Sequence, residues 1–355
     1  MNKPLTVEFR SHIVKELAEQ EAKMRRAQKH SEPFNFQRML TTMAGSGQLT
    51  KDCPEAAACE RAANLAGEEF NPHSPVVPWA AFARRDLTVS NVVGGKTLVG
   101  ADTAEAADVL RPFSLAARLG IEIVQQDKNN LLIPRVGLST TGTWLATESS
   151  NIGGNDPSIG QTEAKPKVGG ALLRGGHRFL KSSPQGVRFI QNQLAGAMGD
   201  LLDQAVLSGT GATGQPLGLK YMPGIGVITG TFDRTKALTM EQTVSGVVGD
   251  DSPLAFVTTP EVRKSIKEIQ LGTSGRYLWN DTGLVDRPGH VSRNCPADTM
   301  FIGDWSKGQI VLWGGGPKIE IDPYSNFRTG AIDFRILMWA DVYFNPMAFF
   351  TWTAV

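Results

Sequence analysis

Gly209, Gly211 and Gly214, in the segment GTGATG, have the GxGxxG spacing that cradles a dinucleotide pyrophosphate. That chemistry needs a strand before the first glycine and a helix after the last, so that helix-start amides face the phosphate. Here a helical run precedes the glycines and PLGL follows, so they read as a turn. GSGQLTK, at 45–51, mixes glycine and lysine without the GxxxxGK[ST] spacing of a phosphate loop and reads as a linker. The five histidines, His12, His30, His73, His177 and His290, form no HxxxH or HExxH pair and read as surface or packing residues. Cys53, Cys59 and Cys295 are too few and odd in number for a disulfide framework, which fits a reducing cytoplasm. Cys53 and Cys59 have no other Cys or His at ligand spacing, so zinc is not expected. No GxSxG nucleophile elbow occurs. Glu148 and Asp203 each lie beside apolar residues, yet nothing pairs them as acid and base. The sequence offers no active site, metal site or cofactor site.

Composition narrows the class. The chain has 355 residues, 41% hydrophobic and 20% charged, as in an ordered soluble protein of two or three domains. The net charge of +1 leaves no polybasic field for nucleic acid. No apolar run is long enough to cross a bilayer, and no export signal is visible at the N-terminus. The seven tryptophans lack basic interleaving and read as core and interface anchors.

The element that must position the rest is a long amphipathic helix between Ser182 and the glycine turn. Ser182 or Ser183 is its expected N-cap, and Pro184 suits its first turn. Val187, Ile190, Leu194, Met198, Leu201 and Ala205 recur on one face. Gly196 and Gly199 lie within it, where bending is easiest. Upstream, residues 1–30 read as a charged helix, 34–40 and 54–70 as a helical pair, and 71–105 as an extended arm. A short helix (VLRPFSLAARLG) precedes the strands IEIV and NLLIPRV. Residues 137–169, lying between LLIPRV and ALLRGGHRFL, read as a long hairpin with a polar tip. Such a hairpin is marginal in water and needs a surface to lie against. Downstream, PEVRKSIKEIQLG reads as a helix begun by Thr258 or Thr259 and ended by Gly272. LAFVTT, TMFIGDW, GQIVLW and KIEID read as short strands, and GAIDFRILMWADVYF and NPMAFFTWTAV as central ones.

These segments, taken in order, resemble the major capsid proteins of tailed bacteriophages, with the Hong Kong 97 type fold. LLIPR followed by TWLATES resembles the family's strand and W-x-x-x-E hairpin segment, here Trp144 and Glu148. LLDQAVLSGTGATGQPLGL resembles its spine-helix end, with Asp203, Gly209, Gly211, Pro216 and Gly218. SGRYLW, Asp304 in FIGDW, and WADVYFNPMAFF with Asp341 resemble later segments. The similarity covers about residues 80–355.

The resemblance implies an α+β architecture. Residues 1–84 would be a helical N-terminal extension or pro-region, 85–136 an N-arm and entry to the peripheral domain, and 137–169 the extended hairpin loop. Residues 170–214 would be the peripheral domain with its spine helix, 215–323 the axial domain, and 324–355 the return strands. The implied function is self-assembly, without catalysis, into an icosahedral shell enclosing phage DNA. The implied partners are copies of itself in hexamers and pentamers. Portal, scaffold, maturation protease and decoration proteins would be others, with double-stranded DNA held by confinement and no membrane. The implied location is the virion, assembled in the bacterial host cytoplasm.

Two departures bear on this. Some relatives join a hairpin lysine to a neighbour's asparagine with help from a glutamate. Here Lys165 and Lys167 lie in the hairpin, but Thr329–Gly330 and Ile336–Leu337 fall about where the asparagine and glutamate should be, so no crosslink is expected. Relatives often lose an N-terminal pro-region, and no cleavage signature is visible here. The alternatives are an encapsulin-type nanocompartment, which shares the fold, and an enzyme of unrecognised α+β fold.

Overall fold

The computed structural model describes residues 34–50, 52–82, 110, 113–127, 129–136, 159–176, 184–212, 214–249, 253–271, 276–280, 283–326 and 328–354. The charged helix over 1–30, much of the arm, the hairpin tip with Trp144 and Glu148, and the cap residues Ser182 and Ser183 lie outside the described residues.

The first elements among the described residues are α1 (Phe36–Ser46) and α2 (Pro54–Leu65). Asn35 caps α1 by accepting from the Arg38 amide, and Gly47 ends it in the left-handed region at φ 69°. After a 3-10 turn at Trp79–Phe82 come α3 (Leu115–Arg118), β1 (Glu122–Gln126), β2 (Leu131–Val136), β3 (Ile159–Ala164) and β4 (Lys167–Gly176). The long helix α4 (Pro184–Ser208) follows. Then come β5 (Gly226–Thr229), α5 (Arg234–Val248), β6 (Leu254–Thr258), α6 (Pro260–Lys267), β7 (Gly289–Val291) and β8 (Thr299–Asp304). The chain closes with β9 (Gly308–Asp322), β10 (Ala331–Phe344) and β11 (Phe349–Thr353). No helix among the described residues is long and apolar enough to cross a membrane.

Two sheets organise the molecule. The first has the order β1-β9-β10-β4, and the second β7-β6-β8-β11-β5. In β10 the period-2 alternation decides which side is covered. Ile332, Phe334, Ile336 and Met338 are buried, in one core with the α1 and α4 side chains Met39, Leu40, Ile190, Leu194 and Met198. The second sheet is covered on both faces. Leu254, Phe256, Met300, Ile302 and Trp352 face a core built with α5 and α6. Ala255, Val257, Phe301 and Phe349 point the other way, into the core shared with the first sheet. Burial on both faces explains why LAFVT is a continuous apolar run.

Several elements differ from what local pattern predicts. The partner of LLIPRV is not ALLRGG: β2 pairs with β3, while ALLRGG lies in β4 and pairs with β10. The intervening Lys165 and Pro166 break the strand, so one polar stretch serves two sheets. GQIVLW and KIEID are one strand, β9, with a register shift between Trp313 and Lys318. The three glycines and the proline between them, with no apolar side chain to show, disguise its continuity. Helix α6 starts on Thr259, whose hydroxyl accepts from the Val262 amide at 3.2 Å, but ends at Lys267, well before Gly272. Residues 270–271 instead pair with 276–277. Helix α5 is missed by local reading because its buried face is only Ala237, Met240 and Val244.

Candidate functional site

Asp203, on the buried face of α4, is aimed at the start of α3. Its Oδ1 accepts from the Ser114 hydroxyl at 2.7 Å and the Ala116 amide at 3.0 Å, and its Oδ2 from the Leu115 amide at 2.9 Å. Ser114 in turn accepts from the Ala117 amide at 3.3 Å. Together they satisfy the orphan donors of a four-residue helix that could not hold its own first turn. Burial raises the Asp203 carboxyl above its ordinary value, and the donors from Ala116, Ser114 and Leu115 only partly counter it. One turn earlier, Gly199 makes the approach possible: a Cβ there would lie 2.6 Å from the Phe113 carbonyl oxygen. Gly199 is therefore a contact glycine, and α4 runs unbroken through it from Pro184 to Ser208.

Gly209, Gly211, Pro216 and Gly218 form a tight return at the end of α4. The Gly211 amide donates to the Pro216 carbonyl at 3.0 Å, and the Gly218 amide to the Gly209 carbonyl at 2.8 Å. A Cβ on Gly209 would strike the Pro216 carbonyl, and one on Gly218 the Gly209 nitrogen. The Gly211 amide is thus used by the turn itself, and the helix lies before the glycines rather than after them.

Asp304 and Asp341 hold two further junctions. Asp304, buried at the end of β8, accepts from the Ser306 amide at 3.0 Å and hydroxyl at 2.6 Å. This starts the 3-10 turn that carries the chain from the second sheet into β9 of the first. A second crossing, Asn345–Ala348, returns it from β10 to β11 beside the first. Between them Phe349 meets Trp305 and Phe344 edge-on, with centroids 5.4 and 5.3 Å apart. The glycine turn is therefore one of three places where the chain passes between the sheets.

Asp341, buried on β10, accepts from the Lys167 ammonium at 2.9 Å, the Lys165 amide at 3.0 Å and the Val342 amide at 3.0 Å. It pins the break between β3 and β4. Beside it the Trp313 indole donates to the Asn129 carbonyl at 3.0 Å, and Ile133 and Ala164 pack on Val311 and Trp313. The root of the β2–β3 hairpin is thus fastened to the first sheet. Sequence reading names Asp341 but not its partners. The pairing of Lys167 with Asp341 and the roles of Trp313 and Ser114 are missed because each partner is distant in the chain. Ser114, a serine just before LAAR, is the exception that carries a local cap signal.

The three cysteines are buried. Burial pushes the Cys59 and Cys295 thiols up to about 12. Cys53, raised by burial, donates to Glu55 at 2.8 Å. Burial also lowers His290. Among the described residues no three His, Cys, Asp or Glu side chains are grouped to hold a metal ion.

Asp203, Asp304 and Asp341 are thus buried acids that each fasten a backbone junction, and the β2–β3 pair is rooted on the first sheet. The chain belongs to the phage capsid family, whose profile matches residues 118–349. The major capsid protein of Halomonas phage phiHAP-1 is 24% identical over 280 residues, covering 77% of this chain and 46% of that protein. The chain thus spans about half the length of the curated relative it matches. A chain from the capsid of a native GTA particle computed with C5 symmetry superposes with a TM-score of 0.54 at 14% identity, covering 76% of this chain and 99% of that one. One from Mycobacterium phage Adephagia gives 0.51 at 12%, covering 78% and 96%. These shared folds agree with the α+β, Hong Kong 97 type architecture that the motifs imply.

Proposed function

We propose that this chain is a major capsid protein that self-assembles into the icosahedral shell around phage double-stranded DNA and performs no catalysis. The observation that carries this reading is that Asp203, Asp304 and Asp341 each fasten a junction of the fold in a chain of the phage capsid family. On this reading residues 170–214, with α4, form the peripheral domain, 215–323, with α5 and α6, the axial domain, and 324–355 the return strands, β9 being shared into the first sheet and β11 into the second. The axial domain packs around fivefold and sixfold axes. The loop over 137–169, rooted at Asp341 and Trp313, reaches over a neighbouring subunit, and Trp144 and Glu148 belong to it. Residues 85–136 supply the N-arm and the entry to the peripheral domain. Rings of five and six close by heterologous contacts repeated around each axis. The near-neutral charge of +1 limits repulsion between tiles. Portal, scaffold, maturation protease and decoration proteins are the further partners of such a shell. DNA is held by confinement, and assembly takes place in the host cytoplasm.

Electron microscopy of the purified chain tests this reading. Shells or capsomer rings are the expected result, and a monodisperse monomer with a filled pocket would overturn it.

A further inference from the structure

We propose that Asn35–Phe82 is a resident wedge of the subunit that stays in the finished shell, so that any cut trimming the N-terminus falls upstream of Asn35. The proposal rests on the shell reading above. The segment precedes residues 118–349, which the family profile matches.

The wedge is built into the main core. Phe36, Met39, Leu40 and Met43 of α1 are buried with the side chains of α4 and the first sheet. The Phe36 and Phe82 rings meet at 5.4 Å, which closes the segment's two ends on each other. Gln191 of α4 donates to the Ala81 carbonyl at 2.7 Å. Glu55, buried beneath α1, is neutralised inside the segment by Arg38 at 2.7 Å.

The rest of the subunit is shaped to receive it. At the irregularity in β9, a Cβ on Gly315 would strike the Ala62 carbonyl and one on Gly316 the Val77 carbonyl. Those glycines lie within the family-matched residues, yet their bare backbone is a notch for the wedge. The edge of β9 is divided between two partners. β1 pairs with Gln309–Trp313, and the next stretch is taken by Pro75–Val77. The Val77 amide donates to the Pro317 carbonyl at 2.9 Å, and the Ile319 amide to the Pro75 carbonyl at 3.3 Å. Outside the notch, Lys318 pairs with Glu68 at 2.6 Å and Ser74 donates to Glu320 at 2.9 Å. Removal of the wedge would expose four large apolar side chains' worth of core, a glycine notch and an unpaired strand edge, which is a template for wrong association.

The test reads subunit mass in particles already verified by electron microscopy. Subunits containing Asn35–Phe82 in full are expected. Particles whose subunits begin between residues 36 and 110 would overturn this proposal alone, whereas absence of particles would overturn the shell reading and this proposal with it. A second measurement does not depend on assembly. A protease site is inserted between Ala83 and Asp108 and cut in the folded chain. The N-terminal piece is expected to co-elute with the remainder in native buffer and to separate in urea. Separation in native buffer would sink the proposal.

Discussion

Asp203 of α4 and Ser114 at the start of α3, 89 residues apart in the chain, share a buried hydrogen bond of 2.7 Å. The bond ties the segment entering β1 to the spine helix. Asp203→Ala leaves the Ser114 hydroxyl and two amides buried without an acceptor. The expected cost is about 3 kcal/mol, since each unsatisfied buried donor costs roughly 1–3 kcal/mol. Asp203→Asn keeps one acceptor but turns an NH2 group toward donors, so it recovers only part of the loss. Urea unfolding of the unassembled protein measures both, and a loss under 1 kcal/mol for the alanine variant would refute the role.

Two glycines of the same helix should respond oppositely. Gly199→Ala puts a methyl against the Phe113 backbone and is expected to cost about 1–3 kcal/mol despite better helix propensity. A Cβ on Gly196 meets only the Phe113 ring, at 3.9 Å. Gly196→Ala is therefore expected to stabilise by about 0.5–1 kcal/mol. Thermal melts of the two variants side by side decide it: equal effects would show that helix propensity, not contact, governs both sites.

Asp341→Ala should loosen the hairpin root. It removes the acceptor of the Lys167 ammonium and of the Lys165 amide. Hydrogen exchange at residues 165–167 is the readout. Faster exchange there, with a global loss of about 2 kcal/mol, is expected for a hydrogen-bonded charge of this burial. Unchanged protection at Lys165 would show that the junction is held by other contacts.

Acid should separate Glu55 from Asp203. Burial works to raise the Glu55 carboxyl, but the hydrogen bonds from Arg38 and Cys53 outweigh it and hold it below its ordinary value of 4.5. Its contribution to stability is therefore present above the unfolded value and is lost as pH falls through the lower folded one. Asp203 is shifted the other way, upward from 3.8. Its contribution is present at acid pH and is lost as pH rises through the folded value. Glu55→Gln should flatten the loss of stability below about pH 4.5. Denaturation midpoints across that range measure it, and an unchanged acid slope would contradict the assignment.

Boiled particles should run as a single monomer band. The Lys167 ammonium is held by Asp341 at 2.9 Å and that of Lys165 by Glu163 at 2.9 Å. Ile336, near where a helping carboxylate would be needed, is a buried hydrocarbon side chain. Ladders above the monomer in detergent gels would contradict this expectation.

Local physics made part of this molecule legible from its residues. The face of α4 from Val187 to Ala205, the Thr259 cap of α6, and the apolar runs that became β6, β10 and β11 follow from periodicity, caps and branched side chains acting within a few residues. The fold class and family followed from the order of such segments. What the sequence could not show is pairing at a distance. Whether LLIPRV joins β3 or β4, that GQIVLW and KIEID are one strand, and why Gly199 lies in a helix all depend on backbone brought close by the tertiary fold. The acids are the clearest case. Asp203 and Asp341 are visible as single residues, but their work is done with Ser114 and Lys167, 89 and 174 positions away. A hydrogen bond across such a separation leaves no periodic trace in the chain, because only the folded core decides which donor is left without water.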